Sequence, residues 1–361
     1  MAATTHFEFN ANTEGLEVTK AFFSQIRGKS VIITGVNRGG IGFSTAQALA
    51  AQSPAKLIIA GRSPSKIQEC IEVLKADSPD VSYRALQMDL SSQKSVRTAA
   101  AEVLAWNDLP AMDILLNSAG VMGVQERTLT EDGIELHFAT NHIGHWLFTC
   151  LIMPKMIEAS KHNPKGATRI VNVSSGSPGM SNMRWSDMNF DRMNKELPEE
   201  EQPIEQPFKV WGYKDIGEAR YIPLDGYNRS KVANVLFSIG ATKRLYEKHG
   251  IVSLAVHPGV IPTELGRNFA AETLEAIKKM SESGVFTYKT LGAGASTSLV
   301  AALDPKLGDG ARETKNGTEH WGVFLADCQI SDSTRPLAVS SQEAEKLWEV
   351  SEKLVGQSFA W

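Results

Sequence analysis

The chain has 361 residues, of which 42% are hydrophobic and 22% are charged, and its formal net charge is −4. These values are ordinary for a folded globular protein, so they exclude a disordered, collagen-like or coiled-coil chain. The length allows two domains or one large α/β domain, and the near-neutral charge gives no electrostatic basis for binding nucleic acid.

The N-terminal segment carries no sign of export. The first 25 residues contain Glu8, Glu14 and Glu17 and no continuous apolar stretch, which argues against a signal peptide. A run of about 18 apolar residues, the length needed for a membrane span, occurs nowhere. The three cysteines are far apart, so a zinc cluster lacks its usual spacing. We therefore expect a soluble cytoplasmic protein without a metal site.

Short apolar runs alternate with helical patterns through the first 260 residues. This alternation is typical of βαβ units wound into a parallel sheet. The predicted strand cores are residues 31–33, 57–59, 81–88, 114–116, 170–173 and 251–256. Helices are predicted between them, among others at residues 44–51, 67–75 and 96–106.

One segment, residues 182–226, interrupts the alternation. Together with Tyr227 it holds seven of the 27 aromatic residues. A loop this long in a compact domain is usually functional. Two interpretations stay open, a lid over a substrate and a surface insertion held down by its aromatic side chains. The bulky residues predicted to contact a substrate are Met180, Trp185, Trp211, Tyr213 and Tyr221.

A glycine-rich segment follows the first predicted strand and begins the next helix. It reads Thr34-Gly35-Val36-Asn37-Arg38-Gly39-Gly40-Ile41-Gly42. Glycine at such a turn lets the backbone approach a pyrophosphate, whose charge then meets the amides at the helix N-terminus. The predicted contacts in this glycine loop are Gly35, Asn37, Arg38, Gly40, Ile41 and Gly42.

The end of the second strand carries information on the cofactor. An NAD-selective site would place a carboxylate there, but the strand ends in Arg62 and Ser63 with no acidic residue. A guanidinium is well suited to bind a phosphate, and Arg38 in the glycine loop adds a second one. We therefore predict NADP(H) as the cofactor.

A tyrosine and a lysine stand four residues apart in a helical stretch. Tyr227 and Lys231 therefore share one helix face. Three further segments follow the fourth, fifth and sixth strands, and they read Asn117-Ser118-Ala119-Gly120, Val173-Ser174-Ser175 and Pro258-Gly259-Val260-Ile261-Pro262-Thr263. Ligands bind at the carboxyl ends of strands in open parallel sheets, so all of these segments are expected to meet at one site.

In this combination the sequence resembles the short-chain dehydrogenase/reductase family, in its retinol-dehydrogenase-like and WW-domain-oxidoreductase-like branch. The branch resemblance also rests on residues 141–146, His257-Pro258-Gly259 and residues 347–352, and it covers nearly the whole chain from about Gly28. The resemblance implies a single Rossmann-type doubly wound parallel sheet with helices on both faces. It also implies an N-terminal extension (1–27), a domain at 28–361 and a C-terminal substrate-side region at about 263–361.

The resemblance also assigns residues to roles. It implies the catalytic tetrad Asn141, Ser175, Tyr227 and Lys231. Besides the glycine loop, Tyr227 and Lys231, the predicted cofactor contacts are Arg62, Ser63, Asp89, Leu90, Asn117, Ala119, Gly120, Pro258, Gly259, Val260 and Thr263. The sequence departs from the family in two ways. The glycine loop is one residue longer, and Ser175 and Tyr227 are 52 positions apart, which is several times the usual gap.

Carbonyl reduction needs a hydride at carbon and a proton at oxygen. The phenol of Tyr227 would supply the proton, and we expect Lys231 to lower its pKa from the ordinary value of about 10. Ser175 would donate a hydrogen bond to the developing alkoxide, and the resemblance implies that Asn141 holds a water molecule. We expect reduction of a bulky apolar ketone or aldehyde such as a secondary metabolite.

Two points stay open at this stage. The alternative function is that of an NADP(H)-binding protein with a non-redox biosynthetic or sensor role. The family often forms homodimers through the helices that begin near Asp132 and Tyr227, but a long C-terminal tail could cover those faces.

Overall fold

The computed structural model describes residues 3–308, 313–315 and 318–361. Its strands are β1 (Ser30–Thr34), β2 (Lys56–Gly61), β3 (Ser82–Gln87), β4 (Ile114–Asn117), β5 (Thr168–Val173), β6 (Ile251–His257), β7 (Glu313–Lys315), β8 (Thr318–Trp321), β9 (Phe324–Ala326) and β10 (Gln329–Ile330). Eight of them form one sheet in the order β10-β9-β6-β5-β4-β1-β2-β3, and β7 pairs with β8. The predicted Rossmann-type sheet is confirmed.

The sheet is parallel except at one edge, where β10 runs antiparallel to β9. Strands β1, β4 and β5 are buried along their whole length, as expected for near-continuous Val, Ile and Leu runs covered by helices on both faces. The edge strand β3 is mostly accessible. The strand order reverses between β1 and β4, and this topological switch point is where ligands bind in such sheets.

The helices cover the sheet in two layers. They are α1 (Gly15–Ala21), α2 (Ile41–Ala50), α3 (Pro64–Asp77), α4 (Gln93–Ala105), α5 (Leu136–Phe138), α6 (Gly144–Ser160), α7 (Glu205–Val210), α8 (Pro223–His249), α9 (Ala271–Glu282), α10 (Leu291–Leu303) and α11 (Ser341–Val355). One layer contains α2, α3 and α10, with α1 packed outside it. The other contains α4, α6 and α8, with α11 outside. No helix in the described ranges is long and apolar enough to cross a membrane.

The C-terminal segment covers the outer faces of α6 and α8. Trp348 of α11 is buried, and its ring lies 5.2 Å from that of Trp146 and 6.2 Å from that of Phe237. The ring of Phe359 lies 5.4 Å from Trp146. The helix that runs on from α5 into α6 and the helix α8 are the two expected to form a homodimer, so dimerisation there would require α11 to move away.

A buried ionic network fixes the insertion to the start of α8. Arg184 pairs with Asp187 at 2.7 Å and with Asp225 at 3.8 Å. Arg229 pairs with the other oxygen of Asp225 at 2.8 Å. All four side chains are at most 5% exposed. The two ends of the insertion, at Arg184–Asp187 and at Asp225, are its root, and they are therefore part of the folded core. This holds whether the rest of the insertion is a lid or a surface segment.

Candidate active site

A cleft of about 910 Å³ runs along the carboxyl ends of the parallel strands. It brings together most of the residues that the sequence predicts for the cofactor site. Those in its lining are Gly35, Asn37, Gly40, Ile41, Gly42, Arg62, Asp89, Leu90, Ala119, Gly120, Tyr227, Lys231, Pro258, Gly259, Val260 and Thr263. The cleft therefore begins at the switch point of the sheet and continues to the start of α8.

The glycine loop is shaped for close approach of backbone segments. Gly35 has φ of +73°, and a Cβ atom there would lie 2.5 Å from the Cα atom of Ala119. A Cβ atom on Gly42 would lie 2.7 Å from the carbonyl oxygen of Gly35. A side chain at either position would force these segments apart. The N-terminus of α2 thus stays at the cleft, where its amides can meet an anion.

Tyr227 and Lys231 lie on one face of α8, as the sequence predicts. The Lys231 Nζ atom donates to the carbonyl oxygen of Val173 at 2.8 Å and lies 5.6 Å from the centre of the Tyr227 ring. Burial lowers the pKa of Lys231 to about 7. Burial raises the pKa of Tyr227 to about 12, although a hydrogen bond with Ser175 opposes that rise. The direction for the phenol is thus opposite to the one that we expected from its lysine neighbour.

Asn141 is fully buried in a π-helical turn (Ala139–Ile143) just before α6. Its side chain accepts a hydrogen bond from the Val121 amide at 2.8 Å and donates to the Val121 carbonyl at 3.0 Å and to Ser230 at 2.9 Å. The His145 ring contacts its backbone oxygen at 3.2 Å. In this structure Asn141 therefore fixes the loop after β4, and its role in holding a water molecule stays a prediction.

Comparison with known proteins shows which family the chain belongs to. Residues 29–187 match the family model for short chain dehydrogenases. An oxidoreductase from Fusarium equiseti, fscI, is 38% identical over 251 residues, which cover 70% of this chain and 94% of that protein. The chain belongs to the short-chain dehydrogenase/reductase family. Retinol dehydrogenase 12 from Mus musculus is 32% identical over 335 residues, with 92% and 88% covered, which supports the retinol-dehydrogenase-like branch.

A solved structure supports the same fold. The crystal structure of an uncharacterized protein from Mycobacterium paratuberculosis has a TM-score of 0.61 at 22% identity and covers 93% of this chain and 96% of its own. The predicted enzyme class, an oxidoreductase of this family, is confirmed by the relatives.

Three of the predicted cofactor residues lie outside the cleft lining. Arg38 is 57% exposed and pairs with Glu69 at 3.6 Å. The Ser63 hydroxyl contacts Ser65 at 3.1 Å. The Asn117 side chain points into the core, where it donates to Asn172 at 2.9 Å. The Asn117 side chain points inward because Asn117 is the buried final residue of β4.

Two of the five predicted substrate residues, Met180 and Trp211, line the cleft. The other three lie elsewhere and stabilise the insertion. Trp185 donates to Glu343 of α11 at 2.6 Å, and the Tyr221 hydroxyl donates to the Val124 carbonyl at 2.8 Å. Tyr213 packs edge-on against the buried Phe208 at 6.2 Å. Aromatic content thus located the insertion but not the side chains that face the cleft.

Several residues of the cleft lining are not predicted by the sequence. The apolar ones are Met122, Leu224, Leu265, Phe269, Leu274, Ile277, Met280, Val285, Phe286 and Tyr288. The polar ones include Ser177, Asn228 and His257. The His257 ring accepts a hydrogen bond from the Gly259 amide at 3.4 Å, and burial lowers its pKa to about 4. His257 directly precedes Pro258 and Gly259, which the sequence predicts to bind the cofactor. This position in the chain is the signal that could have placed His257 in the cleft.

Proposed function

We propose that this protein is an NADP(H)-dependent oxidoreductase that reduces a ketone or aldehyde of a bulky apolar substrate, with Tyr227 as the proton donor. The observation that carries the proposal is that Tyr227, Lys231 and Ser175 line the same cleft as the glycine loop. A phenol, an amine and a hydroxyl in the cleft that also contains the glycine loop can position a carbonyl group and give it a proton.

The glycine loop and the end of β2 fit a phosphorylated dinucleotide. The close backbone approaches at Gly35 and Gly42 make a narrow cradle beside the N-terminus of α2. Arg62 lines the cleft at the end of β2, and its guanidinium forms no ion pair with any carboxylate of the described residues. NADPH, when bound, supplies the hydride. Arg62 would hold the 2′-phosphate, and the residues of the glycine loop would hold the pyrophosphate.

Residues of the chain itself would supply the proton to the carbonyl oxygen. Because burial raises the pKa of Tyr227 to about 12, the phenol carries its proton at neutral pH and can donate it. The negative charge left on its oxygen would be stabilised by Lys231. The amine of Lys231 is kept near the phenol by its hydrogen bond to Val173.

The substrate side of the cleft favours an apolar compound. Side chains of the loop after β4, the insertion and the segment after β6 form its walls. Examples are Met122, Trp211, Leu265, Phe269, Met280 and Phe286. Methionine and aromatic walls contact bulky apolar groups well, while the few polar groups near Tyr227 would orient the carbonyl. A cytoplasmic location stays a prediction.

The preference for NADP(H) can be tested at Arg62. We expect Arg62→Ala to weaken NADPH binding about 10- to 100-fold, the loss of a charge-assisted hydrogen bond of about 1.5–3 kcal/mol. NADH lacks the 2′-phosphate, so its dissociation constant should not change. Arg38→Ala should have a smaller effect because Arg38 is paired with Glu69. Equal losses for NADH and NADPH in fluorescence titrations would contradict the role of Arg62.

The role of Lys231 predicts a pH dependence. Its pKa of about 7 means that the ammonium loses its charge as the pH rises through neutrality. The kcat/KM for carbonyl reduction should therefore fall above about pH 7. Lys231→Arg keeps a cation at every accessible pH, so this fall should disappear even if the rate is lower. An identical fall in Lys231→Arg would assign the titration to another group.

The function itself can be tested by following NADPH absorbance with a panel of apolar ketones, aldehydes and quinones. We expect oxidation of NADPH with at least one aromatic or polycyclic carbonyl compound. Tight NADPH binding with flat traces across the panel would instead favour the non-redox biosynthetic or sensor role.

A further inference from the structure

Two buried polar side chains, Ser177 and Asn228, extend a chain of hydrogen bonds that begins at Ser175. The Ser175 hydroxyl donates to the Ser177 Oγ atom at 2.7 Å, and the Ser177 hydroxyl donates to the Asn228 Oδ1 atom at 2.7 Å. The backbone amide of Ser177 also donates to the Ser175 Oγ atom at 3.0 Å. Ser177 is 2% exposed and Asn228 is 1% exposed. We call Ser175, Ser177 and Asn228 the hydroxyl relay.

The relay connects the two elements that carry the reacting groups. Ser177 lies in the loop after β5, two residues beyond Ser175, and Asn228 directly follows Tyr227 on α8. The relay therefore constrains the position of the Ser175 hydroxyl relative to the Tyr227 phenol, and both groups line the same cleft. A shift of the loop relative to α8 would change their separation.

The relay also controls a proton. A serine hydroxyl has one proton to donate, whereas an amide oxygen can only accept. The Ser177 hydroxyl donates a hydrogen bond to the Asn228 oxygen. The Ser177 oxygen is therefore the acceptor of the hydrogen bond from Ser175. Asn228, the second side chain after Ser175 in the relay, thus sets the direction in which the Ser175 hydroxyl points its proton. With its proton directed at Ser177, the Ser175 Oγ atom presents a lone pair to the cleft, so it can accept a hydrogen bond from the Tyr227 phenol instead of donating to an alkoxide.

We propose that Ser177 and Asn228 are positioning residues that hold the Ser175 oxygen beside Tyr227 as a hydrogen-bond acceptor. This role rests on the proposed function, in which Ser175 and Tyr227 serve the reacting carbonyl. Ser177 and Asn228 act on the reaction through Ser175, so their effect depends on the Ser175 hydroxyl being present.

The experiment compares Ser177→Ala in the wild-type enzyme and in a Ser175→Ala background. In the wild type we expect kcat to fall about 10- to 100-fold, as for a misplaced catalytic group, with KM for the carbonyl and NADPH affinity nearly unchanged. In the Ser175→Ala background the same substitution should cause no further loss. Ser177→Thr keeps the hydroxyl and should restore most of kcat.

Ser181→Ala is the matched control. Ser181 is buried in the same segment, and its hydroxyl has no hydrogen-bond partner among the described residues, so its removal should leave kcat unchanged. If Ser177→Ala does not fold, Asn228→Ala tests the relay from its other end, with the same expected dependence on Ser175.

Two results would overturn the inference. One is an equal loss of kcat with and without Ser175, and the other is a loss of NADPH affinity as large as the loss of kcat, since both indicate a purely structural role. Failure of the proposed function would look different, because the wild-type enzyme would then oxidise no NADPH with any carbonyl compound, or Ser175→Ala alone would keep full turnover.

Discussion

Replacing Tyr227 with phenylalanine should lower kcat for carbonyl reduction about 100- to 10,000-fold, the range over which a positioned general acid accelerates proton transfer. The substitution removes one oxygen atom and leaves the ring, which is 5% exposed and packs with the apolar residues of the insertion. The dissociation constant for NADPH should therefore remain unchanged. Steady-state kinetics and a fluorescence titration on the same preparation measure both quantities.

Tyr83→Phe is the matched control for the loss of a phenol. The Tyr83 hydroxyl donates to the carbonyl oxygens of Leu74 and Ser78, both at 3.1 Å, at the end of α3. Because this site is outside the cleft lining, kcat should stay at the wild-type value. Wild-type turnover in Tyr227→Phe would mean that another group donates the proton, and the catalytic assignment would be wrong.

A second large effect is expected at the root of the insertion. Arg184→Met should lower the free energy of unfolding by about 3–5 kcal/mol, the cost of removing one partner from a buried ion pair. Arg184 is 1% exposed, contacts Asp187 and Asp225, and stacks over the Phe190 ring at 4.4 Å. It also donates to the carbonyl oxygen of Arg192 at 2.8 Å. Urea titrations and proteolysis within residues 192–218 would detect the loosened insertion.

An exposed ion pair in the same insertion provides the comparison. Lys195 and Glu218 are 2.7 Å apart, but their side chains are 52% and 63% exposed. Lys195→Met should therefore change stability by about 1 kcal/mol or less. If Arg184→Met had an equally small effect, the buried network would not be what holds the insertion, and a lid that opens from its root would become the better interpretation.

The proposed catalytic pair could be predicted because its information is local. A spacing of four residues in a helical stretch places Tyr227 and Lys231 on one face, whatever surrounds the helix. The meeting of the strand ends could also be predicted, since parallel strands carry their carboxyl ends to one edge. The orientation of individual side chains could not. Asn117 stands in the expected segment, yet its side chain points into the core.

The pKa values and the C-terminal strands depend on contacts that the sequence does not reveal. Lys231 is close to Tyr227, but burial dominates the pKa of both groups, so the phenol pKa rises. Strand β9 has three residues and exists because it pairs with β6, about 70 positions earlier in the chain. Likewise, the aromatic residues of the insertion divide between cleft and core according to tertiary packing.

Transfer of a labelled hydride tests the central claim most directly. The enzyme would be loaded with NADPH deuterated at the transferable position and mixed with the carbonyl panel, with Tyr227→Phe run in parallel. We expect wild-type enzyme to yield an alcohol with deuterium on the former carbonyl carbon, and Tyr227→Phe to form it far more slowly. Tightly bound NADPH that delivers no deuterium to any carbonyl compound, or equal rates in both enzymes, would contradict the account.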